Sequence, residues 1–175
     1  MKIRPVRAAE HPRVREVHER AFGDPRIPVL VDTLHAAPAP LPPLSFVATV
    51  DDRVVGHVML SASRLDAPRR LVDVYVLSPL GVLPEWQRQG VGTRLVAHAL
   101  DAAGDVPLVF LEGSPGYYGK RGFAPATPLG FRAPSLRIPE PAFQVAVRPS
   151  YEPWMTGSLV YSAPFWDLDC VGLRA

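Results

Sequence analysis

The chain has one cysteine, Cys170, among 175 residues. An internal disulfide and any metal site built from several cysteines are therefore excluded, and Cys170 reads as a small residue of the last strand or tail. Long apolar runs are lacking too. The opening Met1-Lys2-Ile3-Arg4-Pro5 has no signal-peptide core, and no stretch approaches membrane-spanning length. The expectation is a soluble cytoplasmic protein with no membrane partner. Charge of one sign is equally scarce. The 19 basic and 17 acidic residues are mixed along the chain, giving a formal net charge of +2. No block of like charge suggests a nucleic-acid partner. Repeats and domain boundaries are absent as well, and the length suits one domain with a real core over residues 1–175.

Proline, by contrast, is plentiful: 21 residues, several clustered at 38–43 and 125–141. Aromatic and aliphatic residues are interleaved with them, so these clusters read as stiff, ordered connections. Residues 2–6 suggest a short first strand. From Ala8 to about Phe22, Val14, Val17, Ala21 and Phe22 recur at helical spacing, and Leu30, Val31 and Leu34 repeat the pattern over 27–36. Ser45 to Val50 and Val54 to Leu60 read as a hairpin around Asp51-Asp52-Arg53. A long β-branched run over 71–82 contains Pro79, which cannot donate a ladder hydrogen bond, and Gly81, which has no side chain to pack. Together they predict a bulge or a splayed edge. A helix from about Gly90 to Ala103 buries Leu95, Val96, Ala99 and Leu100, and Gly104 ends it. Val106 to Leu111 is apolar enough for a central strand, and Gln144 to Val147 and Ser158 to Tyr161 supply the last strands. The order is that of an α+β protein, with one strand–helix–strand unit at 71–111.

The chemistry concentrates where that strand meets its helix, in Val82-Leu83-Pro84-Glu85-Trp86-Gln87-Arg88-Gln89-Gly90-Val91-Gly92-Thr93. Backbone N–H groups at a helix start have no intrahelical partner and carry the positive end of the helix dipole. Glycines at 90 and 92 would let a phosphate approach the main chain without meeting a Cβ, each charge-assisted bond there being worth roughly 1.5–3 kcal/mol. Thr93 could add a hydroxyl, and Arg88 and Arg94 charge. A dinucleotide fingerprint fails because Leu95 stands where a third glycine is needed. A P-loop fails because Gly92 is followed by Thr93-Arg94. Taken alone, the stretch remains either an anion site or a plain glycine turn into a helix.

Gln87-Arg88-Gln89-Gly90-Val91-Gly92, preceded by Val82-Leu83-Pro84-Glu85, resembles the Q/R-x-x-G-x-G/A signature of the GNAT acetyltransferases. A second match follows, Leu108 to Phe123, ending in Tyr117-Tyr118-Gly119-Lys120-Arg121-Gly122-Phe123. The motifs cover about residues 44–126, and Tyr161 to Phe165 fits the same bacterial subgroup less distinctively. The resemblance implies a mixed, mostly antiparallel central sheet flanked by helices and splayed between the fourth and fifth strands. It implies acetyl-CoA as cosubstrate, its pantetheine arm along Leu80, Gly81 and Val82. The pyrophosphate would then lie at Gln87, Arg88, Gln89, Gly90, Val91, Gly92 and Thr93. Tyr118 matches the tyrosine that reaches the thioester sulfur as general acid, and Tyr117 should point elsewhere. A backbone N–H near Val82 is the implied partner of the thioester carbonyl.

Direct transfer to an amine needs no protein nucleophile, and none is evident: Ser114 is not in a G-x-S-x-G elbow, and Cys170 has no activating partner. The general base stays open. The family's strand glutamate would fall at Val76, and Asp73, Tyr75 and Glu112 each read as polar residues at an exposed strand end. His11 and His18 read as solvent-exposed, His57 as packing or surface, and His98 as facing solvent or packed on the sheet. No metal is implied. The acceptor is a small-molecule amine or an amine of a peptide or protein, bound by 22–43 and 124–160, whose aromatics could line a pocket or fill the core. Pairing through the C-terminal strands would make a homodimer. A non-catalytic acyl-CoA-binding module is the competing reading, kept open by Val76.

Overall fold

The computed structural model describes residues 1–173. β1 (Lys2–Pro5) leads through a short 3-10 turn into α1 (His11–Phe22), and α2 (Arg26–Ala36) follows. α1 turns Val14, Val17 and His18 inward, and α2 turns Pro28, Leu30, Val31 and Leu34 inward. β2 (Leu44–Val50) and β3 (Arg53–Asp66) form the expected hairpin, with Asp51 and Asp52 both at positive φ (47° and 59°). Two positive φ angles match the twist of the flanking strands, and aspartate tolerates that region better than most residues.

β3 runs past the expected end at Leu60 as far as Asp66, paired with β4 (Leu71–Val82) along the way. Ser61 and Ser63, beyond that expected end, are buried within the strand, whose two faces are both covered here. α3 (Val91–Ala102) crosses over to β5 (Leu108–Glu112), followed by α4 (Pro115–Tyr118), β6 (Ala124–Pro125), β7 (Phe131–Arg132), β8 (Phe143–Val147), β9 (Gly157–Val160) and α5 (Ala163–Asp167). The sheet runs β1-β2-β3-β4-β5-β8-β6, with β9 pairing β3 and β7. Its pairs are mostly antiparallel, β4–β5 and β7–β9 being parallel.

The fork expected from Pro79 and Gly81 is present. β4 and β5 pair only at Tyr75–Val109 and Val76–Phe110, after which the strands part. On its other edge β4 stays with β3, through a register shift between Val58 and Leu60 opposite the cis Ser78–Pro79 bond.

One face of the sheet packs Val74, Val76 and Phe110 against Val17, Leu30 and Leu34 from α1 and α2, and against Phe165 from α5. The other packs Tyr75, Leu77 and Val109 against Val91, Leu95, Val96 and Ala99 of α3. Burying a leucine or valine fully is worth about 1.5–3 kcal/mol, more than a typical helix cap at about 1 kcal/mol. Packing therefore fixes where the start of α3 points. Phe131, Phe143 and Phe165 fill the core, whereas Phe22 and Trp166 stay exposed. Among the described residues no helix is long and apolar enough to cross a membrane.

The join of β9 to β3 brings two backbones close together. Gly157 has φ 132°, and a Cβ there would collide with the Asp66 carbonyl oxygen. Gly157→Ala should cost about 2–3 kcal/mol, combining an unfavourable φ with overpacking. Urea unfolding at unchanged m-value checks this.

Candidate active site

The end of β4, the start of α3 and the tyrosine pair of α4 converge at the fork. The Leu83 N–H donates to the Val55 carbonyl at 2.9 Å. Because antiparallel pairing alternates, Gly81 and Leu83 direct their peptide groups at β3, while Leu80 and Val82 turn theirs toward the side that β5 has left. The Gln87 amide donates to the Val82 carbonyl at 3.0 Å and the Gln89 amide to the Glu85 carbonyl at 2.8 Å, bracing the loop. Arg20 and Arg53 both reach Glu85 at 3.0 Å, tying this loop to α1 and β3.

Arg88 (φ 59°) and Gly90 (φ 81°) are both left-handed. The first intrahelical bond of α3 runs from the Arg94 N–H to the Gly90 carbonyl at 3.1 Å, so the N–H groups of Val91, Gly92 and Thr93 precede the ladder. Left-handed residues next to a helix start form a concave anion nest. The two glycines differ in role. A Cβ at Gly90 would meet nothing within 4 Å, whereas one at Gly92 would collide with the Tyr117 hydroxyl and lie 3.8 Å from Leu80. Gly92 makes room for a tyrosine, and Gly90 is the open approach.

The Tyr117 and Tyr118 rings pack edge to face with centroids 4.8 Å apart, Tyr117 reaching toward Gly92 and Tyr118 toward Gly113. The Tyr118 ring lies in the space left by Gly113, packed edge-on to Phe123 with ring centroids 5.8 Å apart. Burial pushes the Tyr118 phenol up to about 12, helped by Tyr117 and opposed by Arg121. Arg121 is a residue that the sequence reading missed. Its Nε and Nη2 donate to the Thr93 hydroxyl at 3.0 and 2.7 Å, Nη1 donates to the Tyr117 carbonyl, and the guanidinium lies 3.6 Å from the Tyr117 ring centroid. Thr93 thus holds a cation at the helix start. The available signal was Arg121 four residues after Tyr117, within reach over one helical turn.

The polar residues weighed as bases are otherwise engaged. Asp73 pairs with Arg64 at 3.6 Å on the surface. Tyr75 is buried, not exposed, and donates to the Pro42 carbonyl at 2.8 Å. Glu112 is not at an exposed end either: it accepts from the Tyr161 hydroxyl at 3.0 Å and the Gly172 N–H at 2.9 Å. Burial raises its pKa against those two bonds. Val76 is packed in the core.

His18 departs furthest from expectation, whereas His57 and His98 take the packed alternative open to them. His18 and His57 are both fully buried and hydrogen-bonded to each other at 2.7 Å. His11 lies edge-on to His35 at 5.3 Å, and His98 packs edge-on to Phe46 at 4.6 Å. Among the described residues no group of three or more His, Cys, Asp or Glu could hold a metal ion.

A model of the GNAT acetyltransferase domain matches residues 2–126. The chain belongs to the GNAT acetyltransferases. Within that family it is 34% identical over 130 residues to the uncharacterized N-acetyltransferase YjhQ of Escherichia coli (strain K12), covering 73% of this chain and 71% of that one. Its GNAT fold is similar to the crystal structure of the family N-acetyltransferase YhbS from Escherichia coli in complex with CoA. There the TM-score is 0.79 and the identity 25%, over 94% of this chain and 91% of the other. A GNAT acetyltransferase from Brucella melitensis in complex with acetyl-CoA gives a TM-score of 0.72 at 29% identity, over 94% and 97% of the two chains.

Proposed function

We propose that this chain, acting as one domain over residues 1–175 in the cytoplasm, transfers the acetyl group of acetyl-CoA directly to an amine at the fork between β4 and β5. One observation carries the reading. The unpaired edge of β4, the open nest at Gly90 and a buried protonated tyrosine from α4 meet at one end of the sheet of a GNAT chain. Two GNAT structures that resemble it hold CoA or acetyl-CoA.

Leu80, Gly81 and Val82 would line the pantetheine arm, with the peptide groups of Leu80 and Val82 already turned to the fork. The amides of Val91, Gly92 and Thr93 suit a diphosphate, and Gln87, Arg88 and Gln89 shape the loop over it. Arg121 adds a cation beside that nest, already braced on Thr93 and Tyr117. Acetyl-CoA supplies the activated thioester. The Val82 N–H would stabilise negative charge developing on its carbonyl oxygen, and Tyr118, protonated throughout the neutral range, would donate to the departing sulfur. No residue of the chain need bond to the acetyl group.

Incubation with acetyl-CoA and a panel of small, peptide and protein amines should release free thiol in an amine-dependent manner. CoA binding with no thiol release from any amine would instead make the chain an acyl-CoA-binding module, the reading that Val76 keeps open.

A further inference from the structure

Four of the chain's five histidines meet where α1 and α2 cover the sheet. His18 Nε2 of α1 lies 2.7 Å from His57 Nδ1 of β3, and His57 Nε2 lies 2.7 Å from the Ser45 hydroxyl of β2. Ser45 lines a surface pocket together with His11 of α1 and His35 of α2, whose rings stand edge-on with centroids 5.3 Å apart. Neither His18 nor His57 has exposed surface. Neutral rings suit this place. One N–H···N bond joins them, and the Ser45 hydroxyl takes the far nitrogen of His57. The remaining nitrogen, His18 Nδ1, meets no partner among the described residues and lies against Gly81 of β4, where a Cβ would stand 2.8 Å from it.

A charged pair has nothing to hold it. Protonation at His18 Nδ1 would aim a buried N–H at Gly81, which offers no acceptor there, and an unmatched donor is costly in a core. Around the rings, β2 brings Ser45 and β4 brings Gly81, neither of them charged. Phe22, stacked on His18 at 5.8 Å, brings no charge from the end of α1. Arg15 of α1 and Asp32 of α2 pair with each other, and no carboxylate acts on either ring. His11 and His35 repel a cation at His57. Burial accordingly lowers His18 to about 4 and holds His57 well below the ordinary histidine range. Since both rings are sealed from water, a proton reaches them only when α1 lifts.

We propose that His18 and His57, with His11 and His35 at their edge, form an acid-sensitive latch that holds α1 on the sheet in neutral solution and releases it in mild acid. Histidine clusters act this way when only the opened state can accept protons. α1 carries two of the four histidines, so its departure uncovers His57 and takes away the ring that backs Gly81. Gly81 belongs to the stretch of β4 that would line the pantetheine arm, so release also undoes one wall of the fork. That consequence alone rests on the acetyl-transfer reading above. A histidine whose native pKa is lowered contributes its full stability above about 6.5 and loses it as pH falls toward the native value. For His18 the window runs from about 6.5 down to about 4. Between pH 7.5 and 5.0 each ring should favour the opened form by about 30-fold, and the two together by about 10³-fold.

Amide hydrogen exchange of the full chain at pH 7.5 and 5.0, corrected for the intrinsic rate, reads this opening. Protection over α1 should fall by about 10³-fold and end below that of α3, which packs on the other face of the sheet. His18→Gln keeps a hydrogen-bonding side chain that takes no charge, and it should cut the fall over α1 to about 30-fold. Where that variant fails to fold, ring-nitrogen NMR of the unaltered chain decides: both rings should remain neutral in the folded protein at pH 5.0. Charged rings in the folded protein at that pH would overturn the latch. So would equal protection of α1 and α3 at pH 5.0, which means global unfolding, or an undiminished fall in His18→Gln. Saturating CoA at pH 5.0 should restore protection over α1, because a ligand of the closed fork favours the latched state. CoA that binds and leaves α1 open would overturn the link between latch and fork. If CoA binds at neither pH, the acetyl-transfer reading fails, and the exchange results still decide the latch.

Discussion

Tyr118→Phe should lower kcat by something on the order of 10² while leaving the Kd for CoA nearly unchanged. The substitution deletes one oxygen and keeps the ring that occupies the space at Gly113 and packs on Phe123. Packing is preserved, so stability should stay within about 0.5 kcal/mol, as for changes that leave contacts intact. What goes is the donor. Burial is the main reason that the phenol stands near 12, so the hydroxyl keeps its proton at any working pH and can give it to a thiolate forming beside it. An interaction that strengthens only as charge develops appears in kcat and not in ground-state affinity. Steady-state kinetics together with calorimetry of CoA binding check both halves. Turnover at the wild-type rate would remove Tyr118 from the chemistry and leave it a packing residue of the fork.

The parts of this site legible from sequence are those built by residues close together in the chain. Pro79 and Gly81 announce a strand that cannot keep a regular ladder on both edges, and β4 loses β5 at that level. Gln87 to Thr93 announces a helix start because the left-handed turn and the apolar stripe of α3 lie side by side in sequence. The hairpin at Asp51 and Asp52 is legible for the same reason. Extent was harder than existence: β3 continues past Leu60 to Asp66 through Ser61 and Ser63, polar residues that are buried because the strand is covered on both faces.

Features made by distant residues were not legible. Glu112 is shielded by Tyr161 and Gly172 from the C-terminal segment, and nothing at position 112 foretells that cover. Arg121 meets Thr93 across a gap of 28 residues, and His18 meets His57 across 39. His18 lies beside Val14 and Val17 on the stripe of α1 that faces the core, yet it read as solvent-exposed. What tips a histidine there inward is a partner for its ring, and the partner, His57, lies on β3. Gly81 shows both sides of this. Its lack of a side chain was readable as a defect in a strand, but its fit to the His18 ring was not.

Gly90→Glu is expected to weaken CoA binding on the order of 10³-fold, about 4 kcal/mol at 1.4 kcal/mol per tenfold. Two effects combine. Gly90 has φ 81°, and a non-glycine residue there costs roughly 1–2 kcal/mol. A carboxylate would also stand at the mouth of a nest whose N–H groups otherwise face a diphosphate, repelling the ligand and competing for the same donors. Collision is not a third cause, since a Cβ at this position meets nothing within 4 Å. The φ cost and the charge effect separate cleanly. Gly90→Gln introduces a side chain of the same shape and the same φ cost but no charge, so it should bind CoA far more tightly than Gly90→Glu while melting at a similar temperature. Calorimetric affinities for the two variants, with thermal unfolding as the control for fold, decide the matter. Equal affinity in both variants and in the unaltered chain would mean that no diphosphate rests on the start of α3, and the coenzyme would have to be sought at another surface of the sheet.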